Sequence, residues 1–120
     1  MQIVAHILTG VVALIHVYIL WLEMFAWTTR GRKVFKTLPQ DLFVPTKALA
    51  ANQGLYNGFL AAGLLWSYFI TDPVWQSHIR LFFLGCVAIA GLYGAYSADK
   101  KILMVQTVPA ALAIMAVILQ

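Results

Sequence analysis

Four polar residues carry the first chemical suggestion in this chain. Asn52, Gln53, Tyr56 and Asn57 lie inside a run from Ala48 to Ile70 that is otherwise apolar. On a helix, residues four apart share a face, so Asn52 lines up with Tyr56, Gln53 with Asn57 and Gly54 with Gly58. Two polar ridges then flank one groove of bare backbone. Amides in an apolar setting are costly unless partnered, so these need donors and acceptors from other helices, a ligand or water. An earlier apolar run adds one acid, Glu23, and places His16 seven residues before it on the same helical face. One acid can hold a cation or a proton, amides and phenols can orient a polar head, and apolar walls accept a lipid-like tail. His16 beside Glu23 offers a proton relay, although a lone buried histidine more often only satisfies a hydrogen bond. There is no acid–acid pair, His/Cys metal set, Ser–His–Asp spacing or glycine-rich phosphate loop. No metal site is implied, and the cofactor is left open.

The elements that must position these groups follow from composition. Of 120 residues, 62% are hydrophobic and only 10% charged, and the mean hydropathy is +0.86. A soluble domain of this length needs more polar surface. Four apolar runs, at about 3–27, 47–70, 74–97 and 102–119, approach or exceed the roughly 20 residues a membrane helix requires. The expected fold class is all-α, an integral membrane four-helix bundle forming one four-span transmembrane domain over 1–120. The first run lacks a basic leader and a small-residue cleavage site and reads as retained. Arg30, Arg32, Lys33, Lys36 and Lys47 flank the first loop and Lys100 and Lys101 the third, leaving only Arg80 on the other side. That bias puts the basic first loop in the cytoplasm and both termini outside, with a bacterial plasma membrane as the expected location. A basic loop beside anionic lipid serves topology, so nucleic acid is not an expected partner.

Depth along each run brings the polar groups to one level. Glu23 is four residues from the inner end of the first helix, roughly 6 Å at 1.5 Å per residue, and Asn52 about five residues into the second, roughly 7 Å. Gln106, beside the Pro109 kink, is again roughly 6 Å from the inner end. Tyr93 and Tyr96 end the third helix at that level, Tyr56 and Asn57 lie a turn deeper, and His16 is near the midplane. Scattered hydrogen bonding has no reason to choose one depth, so a cavity open to the cytoplasmic side is expected. Glu23, Asn52, Gln53, Tyr56, Asn57, Tyr93, Tyr96, Gln106 and His16 are its ligand-binding candidates.

Elsewhere the bland readings serve. Gly54, Gly58, Ala61 and Ala62 form a flank for close helix packing. Thr46 is a helix N-cap, and Asp72–Pro73 an N-cap followed by a proline at the first helical position. Thr107 satisfies the carbonyl that Pro109 frees at Val105. Arg80 snorkels to headgroups, and Cys86, a lone thiol, packs.

Two stretches resemble a known family. His16-Val-Tyr18-Ile-Leu-Trp21-Leu-Glu23-Met-Phe25-Ala-Trp27 and Asn52-Gln53-Gly54-Leu55-Tyr56-Asn57-Gly58-Phe59-Leu60-Ala61-Ala62-Gly63 look like the small membrane proteins of domain-of-unknown-function family 1304, over essentially the whole chain. That resemblance implies four membrane helices and no established activity. A weaker likeness runs to the MAPEG superfamily, which implies a four-helix trimer with a basic first loop and a site between subunits on the cytoplasmic side. Ala51-Asn52-Gln53 with Phe59-Leu60-Ala61, and Tyr93 with Tyr96, carry it. Ala48 stands where that family has an arginine, Leu55 or Asn57 where it has an acid, and Lys100 and Lys101 follow the tyrosines in place of an arginine. The small multidrug exporters are similar in length and in having one acid in the first helix, but theirs is central and their first loop is short.

The resulting expectation is a homo-oligomer, trimer or dimer, surrounded by membrane lipids. It binds an amphipathic small molecule or lipid through Glu23, with Asn52, Gln53 and Asn57 orienting the head and Tyr93 and Tyr96 closing the wall. Whether a reaction follows is open. A MAPEG-like transferase with a thiol cosubstrate and a small proton-coupled exporter are the alternatives.

Overall fold

Uninterrupted apolar runs with glycine and alanine on one flank favour helices that pack backbone to backbone, and the chain is helical throughout. The computed structural model describes all 120 residues. Five α-helices occur: α1 (Gln2–Phe25), α2 (Arg30–Val34), α3 (Lys47–Trp66), α4 (Pro73–Ser97) and α5 (Val108–Leu119). Short 3-10 turns cover Gln40–Leu42 and Ser67–Phe69, and a π turn covers Leu103–Thr107. α1 and α4 are long and apolar enough to cross a membrane.

The four longer helices form a bundle in which α1 lies between α3 and α5, while α4 completes it against α5, the π turn and α3. α1 scarcely meets α4. The core runs along this seam as Ala5, Val12, Ala13, Leu64, Leu84, Val87, Ala110, Ala113 and Val117. The alanines bring the backbones close, and the branched residues fill the space between them.

Glycine sets the closest approach. A methyl group on Gly54 would stand 2.8 Å from Met24 Cγ and 2.9 Å from Glu23 Cβ, inside van der Waals contact. One on Gly58 would collide with Leu20 Cδ1. The small flank of α3 is therefore used within the chain, against α1. Ala61 is buried with it, whereas Ala62 is exposed.

The helix ends show which local signals acted. Asp72 Oδ1 accepts the backbone N–H of Val74 at 2.9 Å and of Trp75 at 3.3 Å, and Pro73 opens α4, where its missing N–H costs nothing. Thr46 precedes α3, but its hydroxyl does not cap it. Thr46 Oγ1 donates backward to Leu42 O at 2.7 Å and accepts from Trp27 Nε1 at 3.0 Å, tying the end of α1 to the start of α3. Phe43 is fully buried beneath this link, its ring 5.0 Å from that of Trp27 and 5.4 Å from the Arg32 guanidinium. The basic first loop is thus a folded cap.

Before Pro109 the last helix widens instead of simply kinking. The N–H of Val108 reaches back five residues to Leu103 O, a register that absorbs the donor proline lacks. Thr107 does not turn to its own helix. Its hydroxyl donates to Ala88 O on α4 at 3.1 Å, where only a glycine at Gly91 leaves room for it.

Candidate functional site

Helix geometry decides which polar groups meet. At about 100° per residue, Asn57 lies only ~60° round α3 from Gly54, while Asn52 lies ~160° round, on nearly the opposite face. Gly54 faces α1, so Asn57 comes to the edge of the seam and Asn52 is turned out. Side chains on a helix also lean toward its N-terminus, and this carries the Asn57 carboxamide back to the level of Glu23. Asn57 Nδ2 donates to Glu23 Oε1 at 2.7 Å and also to Gln53 O at 3.2 Å.

Glu23 is 7% exposed. Oε1 takes the Asn57 bond; Oε2 takes no hydrogen bond from the protein, yet it is not fully enclosed. The Asn57 carbonyl oxygen also keeps its lone pairs free. Two acceptors, one on each helix, thus open at the same seam. Such a pair suits a group that brings donors or positive charge.

His16 belongs to a second layer, about 10 Å from Glu23 along α1. Its Nδ1 lies 2.9 Å from Val12 O, and its Nε2 lies 3.3 Å from Gln106 Nε2 in the π turn. Those partners fit a tautomer that donates from Nδ1 and accepts at Nε2. Both ring nitrogens are then engaged, so His16 joins α1 to the widened segment of the last helix. Gln106 is paired at this level, not at that of Glu23, because Pro109 and the π turn begin α5 deeper in the bundle.

The remaining candidates point outward. Asn52, Gln53 and Tyr56 are exposed on α3, the Tyr56 ring standing edge-on to that of Phe59 at 5.8 Å. Tyr93 and Tyr96 are 70% and 88% exposed on α4. Within one chain these five do not converge on Glu23. Glu23 meets Asn57, and His16 meets Gln106.

The opposite end of the bundle holds a cluster that sequence reasoning underrated. Arg80 does not snorkel; it is fully buried. Its Nε donates to Ser67 Oγ at 2.9 Å, Nη1 lies 3.2 Å from His6 Nδ1, and the guanidinium sits 4.6 Å from the centre of the Tyr68 ring. Ser67 in turn donates to Leu64 O at 2.6 Å, and the Tyr68 hydroxyl donates to His6 O. The available signal was depth. Arg80 is seven residues into α4, about 10 Å from its start, and an arginine at that depth in an apolar helix marks a site by default. Two concavities of about 210 and 420 Å³ lie at this end, the first lined by Gln2, Ile3, His6 and Ile7, the second between Trp66 and Ile79.

Comparison with known proteins adds a family and no activity. The family described as Protein of unknown function (DUF1304) matches residues 10–118. The uncharacterized protein YpaA of Lactococcus lactis is 34% identical over 108 residues, covering 88% of this chain and 89% of that protein. No solved structure matches.

Proposed function

The chain belongs to the DUF1304 family, and for this member we propose an integral membrane protein that binds an amphipathic small molecule or lipid at the Glu23–Asn57 seam. The observation that carries the reading is the state of the Glu23 carboxyl. It is buried between two helices, with one oxygen committed to Asn57 and the other open. A carboxyl in an apolar seam is costly to keep with half its capacity unused. A donor-bearing or cationic head offsets that cost, and the apolar helix faces beside it receive the tail.

Several features support membrane insertion. Over their most apolar stretches only 28% of α1 and 22% of α4 is buried inside the chain, so most of their apolar surface faces outward and needs lipid to cover it. The molecule is 48 Å along its longest axis, close to the ~40–45 Å of a bilayer with its headgroup regions. In this single four-span domain, the end bearing Arg30, Arg32, Lys33, Lys36, Lys47, Lys100 and Lys101 faces the cytoplasm of a bacterial plasma membrane, with both termini outside. Glu23 then lies in the cytoplasmic half. The outward amides Asn52 and Gln53 and the phenols Tyr56, Tyr93 and Tyr96 are covered by further copies of the chain, which makes a dimer or trimer the working form.

The test is native mass spectrometry of protein extracted in mild detergent. Wild type should carry an amphipathic molecule with an amine or other donor, and Glu23→Gln and Asn57→Leu should each reduce its retention. Wild type that carries nothing, and is not stabilised by added amphipathic amines, ends this reading. Retention of a thiol cosubstrate would instead favour a MAPEG-like transferase. Substrate-dependent proton uptake in liposomes, abolished in Glu23→Gln, would favour an exporter.

A further inference from the structure

The turn that joins α3 to α4 bounds the larger concavity, of about 420 Å³, and Trp66, Phe69, Thr71, Asp72 and Trp75 are among the residues that line it. Its volume is in the range of small-molecule sites. Trp66 is the last residue of α3 and Trp75 lies in the first turn of α4, so one short connection gathers two indoles and a phenyl ring. None of the three is spent on the core: Trp66 is 53%, Trp75 61% and Phe69 83% exposed. An interfacial belt accounts for aromatic rings at headgroup level. It does not account for two of the four tryptophans sharing a single hollow with an acid.

That acid is the one acidic side chain at this end of the bundle; Glu23, Asp41 and Asp99 belong to the other. Capping α4 uses Asp72 Oδ1 alone, which accepts from both Val74 and Trp75. Oδ2 accepts no hydrogen bond from the chain, and no cation of the chain pairs with the carboxylate. Arg80, the arginine of this end, is engaged instead with Ser67, His6 and the Tyr68 ring. The N-terminus of α4 brings only about half a positive charge, so negative charge is left over at the hollow. Aromatic faces beside a carboxylate attract a cation. Which cation follows from what the lining lacks. A primary ammonium has three N–H donors to satisfy, and among the lining side chains only Asp72 and the Thr71 hydroxyl accept hydrogen bonds. A quaternary ammonium has no N–H to satisfy, and aromatic faces are the surface it binds best.

We propose that Trp66, Phe69, Asp72 and Trp75 form a binding site for a quaternary ammonium group in the hollow at the turn between α3 and α4. The methyl groups of the ligand pack on the aromatic rings, tryptophan being the strongest partner for a cation, and Asp72 supplies the counter-charge. The site lies at the opposite end of the bundle from Glu23 and does not depend on the reading of that residue. The same chemistry is offered by a free quaternary amine or by the choline headgroup of a lipid.

The experiment is thermal unfolding of the full chain with two pairs of probes. In maltoside detergent, tetramethylammonium chloride is titrated against ammonium chloride at equal concentration. In phosphatidylglycerol nanodiscs, added phosphatidylcholine is compared with added phosphatidylethanolamine. The expected result is a saturable rise of the midpoint with the methylated probe, beyond that given by its unmethylated counterpart, in at least one arm. Tetramethylammonium reports a free cation, and phosphatidylcholine alone a lipid headgroup. Asp72→Asn keeps a side chain that caps a helix as well as aspartate does, so it folds while losing the charge, and should weaken binding severalfold. Trp66→Leu and Trp75→Leu stay apolar at exposed positions and should each weaken it about two- to fivefold. Trp21→Leu, which removes an exposed indole at the other end, should respond as wild type does. The proposal is overturned by a wild-type midpoint that does not distinguish methylated from unmethylated probes in either arm. An unchanged titration in Asp72→Asn or in both Trp66→Leu and Trp75→Leu overturns it too, as does a response that disappears in Trp21→Leu. So does a response lost in Glu23→Gln but kept in Asp72→Asn, which would put the cation at the Glu23 seam.

Discussion

Replacing Gly54 by alanine isolates the contact on which the Glu23 site depends. The added methyl would stand 2.8 Å from Met24 Cγ, 2.9 Å from Glu23 Cβ and 3.2 Å from the Leu20 carbonyl oxygen. Met24 can yield by rotation, but the Glu23 Cβ and the Leu20 carbonyl are fixed to α1. To restore ordinary contact the helices must separate by roughly 0.5–1 Å, and overpacking of this kind costs about 1–3 kcal/mol. The same separation lengthens the 2.7 Å Asn57–Glu23 bond toward the distance of ~3.6 Å at which it no longer counts as one. An interhelical bond in a membrane protein contributes about 0.6–1.7 kcal/mol. Against both stands the helix-propensity gain of alanine over glycine, about 1 kcal/mol. The balance is a destabilisation of roughly 1–4 kcal/mol, with loss of whatever is held at Glu23. Gly85→Ala is the control: nothing lies within 4 Å of its added methyl, so propensity acts alone and stability should rise by up to about 1 kcal/mol. Unfolding both variants in one detergent, followed by circular dichroism, measures the difference. If Gly54→Ala is as stable as Gly85→Ala, the close approach of α1 and α3 does not hold Glu23 against Asn57, and the reasoning fails.

Three further outcomes are expected from the same unfolding assay. Asn57→Leu removes the donor to Glu23 and should cost about 1–3 kcal/mol. Phe43→Ala empties the fully buried ring position under the first loop; a loss of about 3–5 kcal/mol and a red shift of Trp27 emission are expected, and an unshifted spectrum would mean that the loop is not folded over Trp27. Thr107→Val deletes the bond to Ala88 O nearly isosterically and should cost about 1 kcal/mol, while Gly91→Ala, whose methyl collides with Thr107, should cost more.

The sequence alone determined the all-helical fold, because helix-length apolar runs separated by charged or proline-bearing breaks leave the backbone no better way to pair its own polar groups. Asp72–Pro73 announced the start of α4 for the same local reason, and Gly54 with Gly58 and Ala61 announced a close helix contact. Family membership was legible too, in two motifs whose residues stand in the chain as read. What the sequence could not determine is which face of each helix turns inward, since that depends on the rotation of one cylinder against another. A difference of a few residues sends Asn57 to Glu23 and turns Asn52 outward, and the widening before Pro109 moves Gln106 to His16. Arg80 shows the limit most plainly. Its place in an apolar helix is written in the chain, but only packing against Ser67, Tyr68 and His6, residues distant in sequence, decided that the charge is enclosed and lacks a counter-ion.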